Sequence, residues 1–481
     1  MGVAAGQPEP SPPPDAAAPS ALAESAPPPP PAAGAPRPPE QPATQPVVFG
    51  VPVATTEVGD DPSRWPLAGW NKVFFLRDSH DWFHLYPGGR VNVDADAFFG
   101  PGVSDTLAPD GGNGLQPKIF LRRARLELAG DFTKYVNFLL SVEFGGQPLT
   151  NANGKTQNAA ASPGQSPTAD TAKFGAVQAT AASAALFDVW LNLRAAREFN
   201  VMIGQEKTTL SMENRTSDNQ TPLMERNVAI RGFVVPTQRE IGLTAWGDIG
   251  KNTVVGYEGG VYLGDGQNRS QVDEHFDGIG RVFVRPFAAD ASSPVQHAQI
   301  GVSGRYGQRD PRYVGYDESP ITTGQGYALW NTTYKDSLGR TIHVIPSHAQ
   351  AIYGGELRVP VWRLALQSEA YYVASDTREA VDGYQLTNTE RFGELKGVGW
   401  YAMLSAWPWG QPFIAGDPGF VRPTEVDFGH PPDPPKAAVE LLAVVAGVDA
   451  SYDGASRQGT YDSKTPGADG GPGTAIQIRQ F

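Results

Sequence analysis

Residues Lys118–Ala129 read KIFLRRARLELA. Polar and apolar residues alternate as in a half-buried strand, yet Arg122, Arg123 and Arg125 fall within four positions. By the two-residue period of a strand, Arg123, Arg125 and Glu127 share one face, while Phe120, Ala124, Leu126 and Leu128 share the other. The odd residue is Arg122, which parity puts on the apolar face. An arginine there is tolerable near a membrane interface, where its long stem lets the charge reach the headgroups. The stretch therefore asks whether the apolar face meets a protein core or lipid.

The same alternation recurs along the chain, in GRVNVDADAFF, YVNFLLSVEF, LFDVWLNLR, REIGLTAWGD, GIGRVFVRPF, AQIGVSGRYG, GGELRVPV, WRLALQSEAYYV and GVGWYAMLSAW. Roughly 14 to 15 strands follow from the alternation rule. Very short turns such as GDFTKY, AARE and DIGKN join many of them in pairs, and the other connections are long and polar. Strand length separates water from lipid, because a soluble sandwich strand averages about 5–6 residues and a tilted membrane strand needs about 9–11. Charge placement points the same way. Arg90, Asn92, Asp94 and Asp96 oppose Val91, Val93, Ala95 and Ala97; Asp188, Trp190, Asn192 and Arg194 oppose Val189, Leu191 and Leu193; Arg281 and Arg285 oppose Val282 and Val284. An Arg facing lipid at mid-bilayer costs about 2–4 kcal/mol and one facing an aqueous lumen little, so each strand reads with a lumen face and a lipid face. The reading is all-β: a transmembrane, antiparallel, up-and-down β-barrel. Phe98, Phe99, Trp407 and Trp409 near strand ends fit interfacial aromatic girdles. The competing fold is a two-sheet soluble sandwich with charges outside, which would not need so many long strands.

Composition excludes other classes. Against 38 Lys and Arg stand 51 Asp and Glu, a net charge of −13, so a nucleic-acid partner relying on phosphate neutralisation is not expected. Cysteine is absent, which removes disulfides and thiolate metal sites. No run of about 18 apolar residues supports a helical span. MGVAAGQPEPS lacks the basic and apolar regions of a secretory signal, so either the protein is intracellular or its natural beginning lies upstream. Residues 1–47, rich in Pro and Ala, read as a disordered linker or tether, with 48–82 as a lead-in to a barrel spanning 83–481. Residues 145–184 form a low-complexity loop.

Signals for catalysis are weak. GDIGKNT lacks P-loop spacing, GDGQN reads as an external loop rather than a calcium loop, and GVSGR lacks the spacing of a nucleophile elbow. The 7 histidines are scattered without a metal-ligand pair. No enzyme activity, cofactor or metal is expected.

Several segments in order, FLRRARLELAGDFTKYVNFLLSVEFGG, FDVWLNLR, VMIGQEK, MERNVAIRGFVVPTQREIGLTAWGD, YEGGVYLGDGQN, DGIGRVFVRPF and GWYAMLSAW, resemble the phosphate-selective porin O and P family across roughly Phe83 to Ser451. The resemblance implies a 16-stranded outer-membrane barrel, a homotrimer, passing phosphate or other small anions through a pore narrowed by an inward loop. It also puts Phe481 inside the penultimate strand, so a strand and a half is expected to be missing, and residues 1–47 on the periplasmic side. The inward loop corresponds to residues 207–239, where Lys207, Arg215, Arg226, Arg231 and Arg239 outnumber Glu213, Asp218 and Glu225 by five to three. These five cations are the candidate solute-binding set, guanidinium groups being suited to phosphate oxygens; for each, the alternative is a salt bridge anchoring the loop. Met212, Met224 and Phe233 are expected to pack the loop. On the wall, Arg90, Arg123, Arg125, Arg194, Arg281, Arg285, Arg305, Arg358 and Arg363 meet Asp94, Asp96, Glu127, Glu143, Asp188, Glu240, Glu356 and Glu369, nine against eight, which gives little bias. A general, weakly selective porin and an envelope tether acting through the Pro-rich segment remain open beside the anion pore.

Overall fold

The computed structural model describes residues 47–48, 51–52, 65–97, 118–145, 148–150, 156–158, 185–218, 220–310, 315–322, 328–330, 332–335, 341–381, 391–410, 423–424, 426–428, 437–457 and 475–480. Sixteen antiparallel strands in this set close into a barrel. They are β1 Ala68–Asn71, β2 Val73–Arg77, β3 Phe83–Asp96, β4 Lys118–Phe132, β5 Val136–Glu143, β6 Ala185–Ala196, β7 Phe199–Lys207 and β8 Arg239–Ile249. Then follow β9 Val255–Tyr262, β10 Asp277–Val284, β11 Gln299–Arg309, β12 Thr341–Val361, β13 Leu364–Val381, β14 Arg391–Gly410, β15 Ala438–Arg457 and β16 Ala475–Gln480. Each strand pairs with its sequence neighbours, and β16 lies between β15 and β1. No helix among the described residues is long and apolar enough to cross a membrane.

Two boundaries differ from the sequence reading. The hairpin β1–β2 falls inside the expected lead-in 48–82 but belongs to the barrel sheet, so the barrel begins before residue 83. The last strand is not missing from the sheet: β16 closes it against β1. Strands of four and five residues are too short to show alternation, and the family resemblance begins only at Phe83, so this hairpin is left out of it. The segment 1–46 lies outside the described residues, as does most of 145–184, where Gly145 and the small hairpin Pro148–Thr150 with Thr156–Asn158 are described.

Side-chain burial is inverted relative to a soluble protein. Val91, Ile119, Leu126, Leu191, Ile203 and Val302 are exposed on the outer face, while Asp94, Arg125, Asn137, Asn192, Glu258 and Arg281 are buried inside. An outer wall of this kind is stable only against hydrocarbon, since each such side chain left in water forfeits about 1.5–3 kcal/mol. The sandwich is thereby excluded. Near the short-turn end, Trp70, Phe74, Trp82, Tyr135, Trp362 and Trp409 are exposed, as interfacial aromatics are. Trp407 is a correction: it is 4% exposed and points inward, because a register irregularity between Ala406 and Trp409 puts two tryptophans that regular alternation would place on one face onto opposite faces.

The alternation also fails at Arg122. Asn92 pairs with Arg123 and Val93 with Leu121, so β4 carries a β-bulge that leaves Arg122 without a partner position on β3. A bulge bends its strand and re-aims the extra side chain. Here it turns Arg122 into the lumen, where it bonds Asp94, and the preceding apolar residues that face outward are Leu121 and Ile119. The interfacial position expected for Arg122 is therefore wrong.

Candidate functional site

The described residues of the connection from β7 to β8, 208–218 and 220–238, do not leave the barrel. Its first turn is α1 (Met212–Arg215), with Ser211 as N-cap accepting from the Asn214 N–H. The carboxylate of Glu369, on β13 across the lumen, accepts from Ser211 Oγ at 2.7 Å, the Met212 N–H at 3.1 Å and the Glu213 N–H at 2.7 Å. Tyr371 and Tyr401 donate to the same carboxylate at 2.8 Å each. The loop then returns through a π-helical turn, Ala229–Val234, packed on β14. Gly399 makes this approach possible, since a Cβ there would come within 2.9 Å of the Phe233 ring and 3.3 Å of Ala229 Cβ.

One side of the loop is filled. Ala229, Ile230, Phe233 and Val234 join Ile352, Tyr371, Tyr401 and Tyr452 of the wall in a buried apolar cluster. Met212 and Phe233 do pack the loop, but Met224 is 64% exposed. Toward the short-turn end, a cavity of about 170 Å³ separates residues 213–223 from the wall and is lined by Leu223, Arg358, Gln367, Met403, Trp407 and Glu440 among others.

The side facing β3–β6 is charged, and its charges form two clusters. In the first, Asp218 is approached by Arg226 at 2.6 Å, Arg125 at 3.3 Å, Lys207 at 3.5 Å and Arg90 at 3.7 Å. Burial alone would raise the Asp218 pKa, but Lys207, Arg226, Arg239 and Arg125 hold it well below the usual carboxylate range. Its side chain is only 6% exposed, so it is a fixed anchor of loop to wall. In the second cluster Glu225 receives Arg122 at 2.6 Å, Arg231 at 3.4 Å and Arg123 at 3.5 Å. Arg123 and Arg231 keep 18% and 19% side-chain exposure. Burial lowers the Arg231 pKa; Glu225 opposes this, and Arg122, Arg123 and Arg226 add to it.

The candidate residues thus separate. Arg231 of the loop and Arg123 of the wall come together, joined by Arg122. Arg226 faces into the loop, donating to the carbonyls of Glu213 and Thr216 at 3.1 and 2.8 Å. Lys207 donates to the Thr216 carbonyl at 2.9 Å. Arg215 is buried between Glu206 at 2.8 Å and Glu258 at 2.6 Å. Arg239 forms a two-pronged pair with Asp188 at 3.0 and 2.9 Å and lies over the Phe187 ring. Arg90 and Arg125 belong to the Asp218 cluster. Arg281 is locked to Glu258 and Glu356, Arg285 bonds Gln299, and Arg194 is half-buried beside the short turn at Tyr135. Arg122 is the residue that the sequence singles out but misplaces, because its break in the alternation fits an interfacial position as well as a bulge until the register with β3 is known.

The near balance of the wall therefore hides a partition. Glu206, Glu213, Glu258, Glu356 and Glu369 gather with Arg215 and Arg281 on the filled side, whereas eight cations and six carboxylates gather on the β3–β6 side: Arg90, Arg122, Arg123, Arg125, Lys207, Arg226, Arg231 and Arg239 with Asp94, Glu127, Glu143, Asp188, Asp218 and Glu225.

A loop-narrowed barrel of this strand count is the architecture of a porin, and residues 93–459 match the family described as phosphate-selective porin O and P. The chain belongs to that family. It is therefore an outer-membrane porin barrel. Among solved structures it is similar to outer-membrane expressed OmpT of Vibrio cholerae, at 8% identity over 84% of this chain and 96% of that one, with a TM-score of 0.30. It is also similar to in-vitro folded OmpT, an outer membrane protein of Vibrio cholerae in trimer form, at 10% identity over 77% and 98%, with a TM-score of 0.20. No curated protein matches the chain.

Proposed function

We propose that the protein passes small anions, phosphate and polyphosphate foremost, by diffusion past the inward loop, with no bond made or broken. The observation that carries this reading is the convergence of Arg122, Arg123 and Arg231, partly open to the lumen, on one carboxylate. In a narrow, partly dehydrated passage such a cluster raises the local concentration of anions and can hold an oxyanion through paired N–H donors. Lys207, Arg215, Arg226 and Arg239 support this passage indirectly, by holding the loop in place. Phosphate titrated into chloride across a planar bilayer tests the reading. Phosphate should block chloride current, and Arg231→Ala or Arg123→Ala should weaken the block. Block that ignores both substitutions would overturn it.

One observation favours the second reading, a general and weakly selective porin: most guanidinium groups of the loop and wall are already in ion pairs. The same titration separates the two, since a general porin shows no phosphate block. As the family resemblance implies, we infer a homotrimer, with residues 1–47 on the periplasmic side as a linker or envelope tether. Removing 1–47 with retained conductance and lost envelope attachment would identify the tether.

A further inference from the structure

The two loop carboxylates on the charged side are not equivalent. Asp218 is enclosed by four cations and nearly solvent-free, so its charge is fixed in place. Glu225 sits where an entering oxyanion would sit. Its Oε1 meets Arg122 and Arg123, and its Oε2 meets Arg231. The three guanidinium groups come from two elements, the bulged strand β4 and the return limb of the loop, and point at a single two-oxygen anion. Asp94 also bonds Arg122, so the cluster is three cations against two carboxylates. The segment carrying Glu225 is irregular, between α1 and the π-helical turn, and the adjoining Met224 is exposed. The carboxylate can therefore swing away without unpacking the apolar cluster.

We propose that Glu225 is a tethered counter-ion, competing with passing anions for the Arg122, Arg123 and Arg231 guanidinium groups and so setting how long an anion stays. This rests on the anion-passing reading. A monovalent anion competes poorly with a carboxylate held at the site and moves on; a multiply charged oxyanion displaces it and lingers. Conduction needs binding strong enough to admit a solute and weak enough to release it, and the tethered carboxylate supplies the second condition.

The test is Glu225→Gln, which keeps the shape and removes the charge. Inorganic phosphate should block chloride current at concentrations lower by about tenfold or more, the scale expected for removing a nearby unit charge from a partly screened site. Reversal potentials in a potassium chloride gradient should move toward the anion limit. Asp290→Asn, the same charge change in an exposed turn at the short-turn end, is the reference. Equal behaviour of the two variants overturns the proposal, and so does loss of phosphate block in Glu225→Gln, which would make Glu225 a strut that holds the arginines. If wild type shows no anion preference and Glu225→Gln acquires one, the counter-ion proposal stands and the native anion-passing reading fails. Should Glu225→Gln form no channels, Glu225→Asp decides: withdrawing the carboxylate by one methylene from Arg123 and Arg231 should tighten phosphate block, and an unchanged block overturns the proposal.

Discussion

Glu369→Ala should release the loop from the far wall. In the native protein this carboxylate takes three hydrogen bonds from the loop, from Ser211 Oγ, Met212 N and Glu213 N. A net hydrogen bond is worth about 0.5–1.5 kcal/mol, so truncation costs the docked loop on the order of 3 kcal/mol. That lowers the ratio of docked to undocked loop by about two powers of ten. The apolar cluster around Phe233 and Ile230 and the Asp218 anchor remain, so the barrel should still assemble. Glu369→Gln retains one acceptor oxygen but turns an amide NH₂ toward backbone N–H donors, and should fall between wild type and Ala. The assay is paired: single-channel recording, where undocking appears as steps between conductance levels, and hydrogen exchange of amides 209–216. The Ala variant should show new, larger conductance substates and faster exchange confined to this segment. Native noise with native protection would refute the account of how the loop is held.

Three further outcomes follow from the same geometry. Gly399→Val should push Phe233 and Ala229 off β14, raising conductance and costing about 1–3 kcal/mol of stability, read as a lower unfolding temperature. Arg226→Ala should disorder the loop rather than only reduce anion affinity, because its donors hold Glu213 O, Thr216 O and Asp218; protease cleavage within 216–227 should appear. Because the Asp218 pKa is lowered in the folded state, its contribution is fully present above the usual Asp value and is lost only as pH falls through the lowered one. Loop anchorage by Asp218 should therefore persist from pH 7 down to about 4, whereas Asp218→Asn should lose it throughout, as recorded by conductance against pH.

Much of this architecture is legible in the chain. The alternation of Arg123, Arg125 and Glu127 with Ala124, Leu126 and Leu128 requires a two-faced strand, and strand length then selects the bilayer. The inward loop came from resemblance rather than periodicity, since no spacing in 207–239 announces which way a connection folds. The partners of Arg215 and Arg239 were not readable, because Glu258 and Asp188 lie on other elements and pair only after the barrel closes, and that of Arg226, Asp218, lies in the same loop, whose irregular course no spacing gives. Arg122 escaped because a bulge depends on two strands at once: KIFLRRARLELA contains the extra residue, but only the register with VNVDA shows it. Trp407 escaped for a related reason: regular alternation puts two tryptophans two residues apart on one face, and only the register of β14 with β15 shows the irregularity that separates them.

The most direct measurement of the central claim is the reversal potential of wild-type channels in a planar bilayer under a tenfold potassium chloride gradient. An anion-passing pore with Arg122, Arg123 and Arg231 at its constriction should give a potential on the chloride side of zero, shifting toward zero in Arg231→Ala. A potential at zero or on the potassium side, unchanged by Arg231→Ala, would contradict the account.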